Sequence, residues 1–88
     1  MKAVTLTPQE AEAVKALMDA LRAAEGEDEF QSAVFDVARA AGMRPGKLFR
    51  VLYQILLGRP QGPRFGPYVV AMGKESVIRE LEKTVSGR

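Results

Sequence analysis

The chain has 88 residues, 47% of them apolar, and a formal charge of +2, which makes one small domain that buries only about 60 to 65% of its unfolded surface. With neither cysteine nor histidine, it has no disulfide framework, no thiolate or imidazole metal ligand and no side chain that ordinarily shuttles protons near neutral pH, so it is poorly equipped for catalysis. No charged segment followed by an apolar stretch opens the chain and no run reaches about 18 apolar residues, so a cytoplasmic protein without a membrane partner is expected.

The first predicted helix covers residues 8–25. Thr7 is its N-cap, Pro8 suits the first helical position, and Glu10 completes a Thr-x-x-Glu capping box. Ala11, Val14, Leu17, Met18, Leu21 and Ala24 form one apolar stripe, and Gly26 stands where the helix should stop. The second helix, over 28–41, takes Asp28 as cap, with Glu27, Asp28 and Glu29 complementing its positive dipole end. Phe30, Val34, Val37, Ala38 and Ala41 turn inward, and Gly42 ends it. The short linker makes these two helices packed neighbours.

The third helix, 45–57, starts at Pro45 and ends at Gly58. At 100° per residue, Lys47, Arg50 and Gln54 share one narrow arc. Leu48, Phe49, Val51, Leu52, Tyr53, Ile55 and Leu56 fill most of the rest, as in a central helix with one polar strip. A fourth helix over 63–72 follows a loop, with Phe65, Tyr68, Val69 and Met72 at helical spacing, although Pro67 can delay its regular part. The fifth, 75–85, buries Val77, Ile78, Leu81 and Val85 and pairs Glu75 with Arg79 outside. No strand-like alternation survives, so residues 1–88 read as a single all-α domain, a small bundle of about five helices.

Charge is segregated along this bundle. Residues 1–30 balance to −4 and residues 31–88 to +6, and no acid occurs between Val37 and Lys74, where Arg39, Arg44, Lys47, Arg50, Arg59, Arg64 and Lys74 fall. Such a basic block fits a polyanion, although a solvated helix face on a small protein has the same composition. Lys47 and Arg50 lead toward the loop holding Arg59 and Arg64, and one phosphate-tracking face can gather all four. The exposed amides at the Pro63 helix start would add a dipolar anion site.

The phrase Gly58-Arg-Pro-Gln-Gly-Pro-Arg-Phe-Gly-Pro-Tyr68 is more specific. Pro60, Pro63 and Pro67 lower the entropy lost on ordering, while Gly58, Gly62 and Gly66 let backbone approach a ligand. Arg59, Gln61 and Arg64 supply guanidinium planes and an amide of the kind that meets unpaired RNA bases. Phe65 shares a helical stripe with Val69 and Met72 and reads as core instead. Glu25, Glu27, Asp28 and Glu29 are explained by helix starts rather than by a metal. The loop is neither a GxxxxGK[ST] phosphate loop nor a strand-linked GxGxxG.

Leu48 to Leu81 resembles the C-terminal anticodon-binding part of class I lysyl-tRNA synthetases, related to that of the glutamyl enzymes. The matching segments are Leu48-Phe-Arg-Val-Leu-Tyr-Gln-Ile-Leu-Leu-Gly58, Gln61-Gly-Pro-Arg64 and Met72-Gly-Lys-Glu-Ser-Val-Ile-Arg-Glu-Leu81. Gly62-Pro63 stands where the glutamyl enzymes commonly have Thr-Pro, and Pro67 departs from the pattern. The resemblance implies a module that docks on the anticodon stem-loop of a lysine transfer RNA, with Lys47 and Arg50 on phosphates, Arg59, Gln61 and Arg64 at the bases, and Gly62 and Pro63 in the same RNA-binding loop. It also implies a C-terminal fragment of a larger, ATP-dependent lysine-tRNA ligase whose catalytic domain, absent here with its HIGH- and KMSKS-type motifs, is the other partner. This chain itself would take no cofactor and hold no catalytic residue. The alternative is a non-catalytic helical protein-interaction module that docks through its acidic first helix.

Overall fold

The computed structural model describes residues 6–86, and its elements are α1 (Pro8–Ala23), α2 (Glu27–Ala41), α3 (Pro45–Leu57), α4 (Phe65–Met72) and α5 (Lys74–Ser86). The all-α class and the five elements are as predicted; the end of α1, the starts of α2 and α4 and, by one residue each, both ends of α5 are not. The capping box of α1 is complete: Glu10 N–H donates to Thr7 Oγ1 at 3.1 Å and Thr7 N–H to Glu10 Oε1 at 3.0 Å. The helix nevertheless closes two residues early, because Ala24 is extended at φ −81° and ψ 148°. Gly26, expected to stop α1, instead starts α2 as its N-cap at φ 90°. Asp28 is therefore not the cap. It sits in the first turn between Glu27 and Glu29, and the Glu29 carboxylate accepts the Glu25 N–H at 2.7 Å.

The fourth helix begins at Phe65 rather than Pro63. Had it begun at Pro63, the residue due to donate to the Pro63 carbonyl four positions back would be Pro67, which has no N–H and would clash there. The chain resolves this by giving the Pro63 carbonyl to the Tyr53 hydroxyl and by starting the helix two residues later. Pro67 then falls in the first turn, where a missing donor costs nothing.

α1 packs on α2 and α5, α2 also on α3 and α4, and α3 lies against α1, α2 and α5. Leu17, Leu21, Leu48, Leu52, Phe65, Val69 and Leu81 are fully buried at the centre, and no polar residue is buried among the described residues. α3 is the mostly buried helix expected: Leu48, Val51, Leu52 and Tyr53 are buried, Phe49, Ile55 and Leu56 half-buried, and Lys47 and Arg50 exposed. Two expectations fail on the outer faces. Met72 is 52% exposed beside an equally exposed Val70, because the inward side of the short α4 is already filled by Phe65 and Val69. The ion pairs of the described residues include Lys83 with Glu80 on α5 at 3.3 Å but not Glu75 with Arg79.

Candidate nucleic-acid interface

The basic residues of the acid-free stretch divide into structural and unpartnered sets. Arg39 lies 3.6 Å from Asp36 on the same helix, an exposed pair of small energetic weight. Lys74 crosses the bundle instead. Its Nζ donates to the carbonyls of Arg22 at 3.0 Å and Ala24 at 2.8 Å, and stands 3.8 Å from the Glu25 carboxylate. It caps the negative end of α1. Arg44, Lys47, Arg50, Arg59 and Arg64 remain exposed, and none belongs to an ion pair among the described residues.

Two open clefts organise these cations, and Arg50 borders both. The first, about 520 Å³, lies between α3 and the following loop and is lined by Gly46, Phe49, Arg50, Tyr53, Pro60, Gln61 and Gly62. The second, about 660 Å³, lies between the start of α1 and α3, where Glu10 faces Arg44, Lys47 and Arg50. The Glu10 carboxylate there is already engaged in the α1 cap. Of the residues expected at the interface, Arg50, Gln61 and Gly62 therefore meet in one cleft, and Lys47 joins Arg50 in the other. Arg59, Pro63 and Arg64 are exposed and line neither, so the single surface expected for Lys47, Arg50, Arg59 and Arg64 is realised as two adjoining clefts and an exposed loop.

Two of the loop glycines pack closely against the protein itself. A Cβ on Gly62 would stand 2.6 Å from Leu57 Cδ1 and 3.0 Å from Tyr53 Cδ1, and one on Gly66 would stand 2.5 Å from the Glu27 carbonyl oxygen. Their close approach is to the protein's own α3 and α2. The predicted anion site at the fourth helix is likewise closed. Phe65 is fully buried, Gly66 N–H donates to Gln31 Oε1 at 2.7 Å, and Pro67 has no N–H to offer.

Tyr53 is buried, and its hydroxyl donates to the Pro63 carbonyl; burial also pushes its ionisation above that of an ordinary phenol. Phe49, expected in the core, is half-buried and lines the first cleft. Its ring stacks on Tyr53 at 6.2 Å and meets the edges of Phe35 at 5.4 Å and Phe65 at 6.3 Å. Phe35 is 41% exposed, so an aromatic row runs from the core to the surface beside the cations. Arg44 was the cation left out of the expected site. Its signal was present, since Arg44, Lys47 and Arg50 recur every three residues along one helix face. Among the described residues no group of three or more carboxylates is placed to hold a metal ion, and no helix is long and apolar enough to cross a membrane.

Comparison with known proteins matches this sequence to one family. The anticodon binding domain family covers residues 1–85. The lysine-tRNA ligase of Cenarchaeum symbiosum (strain A) is 40% identical over 65 residues, 74% of this chain and 12% of that protein. That of Methanosphaera stadtmanae is 28% identical over 83 residues, 92% of this chain and 16% of the relative, and that of Archaeoglobus fulgidus 30% identical over 74 residues, 84% and 15%. The chain thus spans 12 to 16% of the length of these three curated relatives. No solved structure matches it significantly. Matched by its family over residues 1–85 of 88, the chain belongs to the anticodon-binding domains.

Proposed function

We propose that this chain is the anticodon-binding module of a lysine-tRNA ligase, acting in the cytoplasm as the C-terminal part of a larger enzyme. Support comes from Arg50 in a cleft that also offers an aromatic ring and an amide, with Arg44 and Lys47 in the adjoining cleft and Arg59 and Arg64 exposed on the loop, in a chain of the anticodon-binding family. Arg44 and Lys47 hold phosphates of the anticodon arm by charge, with Arg50 at the boundary between phosphates and bases. Unpaired bases enter beside Phe49, where stacking is tolerant of sequence and the Gln61 amide and Arg50 guanidinium discriminate base edges. Arg59 and Arg64 flank that entry from the loop, next to the backbone of Gly62 and Pro63. Aminoacylation and its ATP belong to the catalytic domain of the parent ligase, which is the module's second partner; the module contributes recognition alone.

Titration with the anticodon stem-loop of a lysine transfer RNA, and with stem-loops altered at single anticodon bases, tests this. Arg50→Ala, Gln61→Ala and Arg64→Ala should each weaken binding, and loss of a good base contact should cost ~1 to 3 kcal/mol. Equal affinity for every anticodon would exclude base readout. Binding to a protein partner in place of RNA would favour an interaction module.

A further inference from the structure

We propose that Tyr53 is a positioning residue for RNA recognition, its hydroxyl holding the loop of residues 58–64 at the spacing from α3 that lets Arg50 and Gln61 share one cleft. The inference rests on the transfer RNA reading above and adds to it what keeps the reading edge in shape. All seven residues from Gly58 to Arg64 are exposed. Among the described residues no backbone hydrogen bond begins or ends on residues 59–63, and the Tyr53 hydroxyl on the Pro63 carbonyl is the one side-chain bond that reaches them. The loop leaves α3 through Gly58, at φ 76°, and rejoins the bundle at Arg64, whose carbonyl accepts the Tyr68 N–H at 3.1 Å.

Shape completes the tie. The Gly62 backbone lies so close to the Tyr53 ring that a Cβ there would come within 3.0 Å of Cδ1 and 3.2 Å of Cε1. The same ring forms a wall of the cleft with Phe49, Arg50 and Gln61. Tyr53 is thus attached to the loop at one end and to the core at the other, since it is buried in α3 and stacked on Phe49. A loop held this way loses less freedom when RNA binds than one that must be ordered by the ligand. At the far side of the segment, Gln31 on α2 fixes Gly66 through its N–H.

Tyr53→Phe keeps the ring and removes only the hydroxyl. In the free variant, amide order parameters at Arg59, Gln61 and Gly62 should fall toward those of flexible chain. Affinity for the stem-loop should drop about tenfold with the salt dependence unchanged, because no phosphate contact is removed. Val77→Ala, a core change outside the cleft, serves as control. Loss of affinity in that control matching the loss in Tyr53→Phe would reduce Tyr53 to a structural role and overturn the proposal. Wild-type loop order and wild-type affinity in Tyr53→Phe would overturn it as well, with the transfer RNA assignment intact. Failure of the wild-type chain itself to bind the stem-loop would instead defeat that assignment, and the proposed purpose of the tie with it.

Discussion

Lys74 and the two close-packed glycines show how single residues here do work that their neighbours in sequence do not announce. Lys74 serves carbonyls at Arg22 and Ala24, across the bundle, so Lys74→Met should leave both unpaired at the negative end of α1. The expected loss is about 1 to 2 kcal/mol in urea unfolding, with RNA affinity of the folded chain unaltered. Gly62→Ala and Gly66→Ala separate by what the new methyl meets. At Gly62 the nearest atom is the end of the half-buried Leu57 side chain, which can swing away, whereas at Gly66 it is the Glu27 backbone carbonyl. Thermal melts should therefore show Gly66→Ala the more destabilising, by about 1 to 3 kcal/mol. Tyr53 adds a pH signature. Burial keeps its proton on more firmly in the folded chain than in the unfolded one, so its contribution is complete below pH about 10 and is lost as pH rises through its higher folded value. The stability difference between wild type and Tyr53→Phe should be constant from neutral pH to about 9 and shrink above about 10, as followed by melting at successive pH values.

Among the elements, α4 departs furthest from its expectation, and its start explains why. Its N-terminal donors are closed off by Gln31, by burial and by Pro67, so the helix holds itself to α2 rather than offering amides to an anion. Gln31→Leu should leave the Gly66 N–H unpaired in a half-buried setting and cost about 1 to 3 kcal/mol by denaturant titration. The regular parts of the fold were legible in the chain itself. Thr7 and Glu10 mark the start of α1, the apolar spacing of α3 gives its buried faces, and Gly42 and Gly58 end their helices as expected. The misplaced ends follow from partners outside the predicted helix. Gly26 serves the helix after it, the Pro63 carbonyl answers to Tyr53, and the partners of Lys74 lie 50 and 52 residues upstream. The candidate site was legible in its charges and its loop but not in its aromatic wall, because helical periodicity assigns Phe49 and Tyr53 to the core without saying which rings reach its edge.

At the scale of the whole molecule, the acidic and basic halves of the sequence fold into one bundle. Among the described residues the exposed cations near α3 and its loop form no ion pair, and Glu10, the carboxylate that lines their cleft, is held in a cap. Such a surface binds a polyanion through counterion release, and several phosphate contacts should make affinity fall linearly with the logarithm of salt concentration. Binding of the anticodon stem-loop as a function of salt, for the wild type and for Lys47→Ala, tests the central claim most directly. Affinity should fall on the order of 10²-fold between about 50 and 200 mM salt, with a slope shallower by about one for Lys47→Ala. Affinity indifferent to salt, or a slope unmoved by Lys47→Ala, would contradict it.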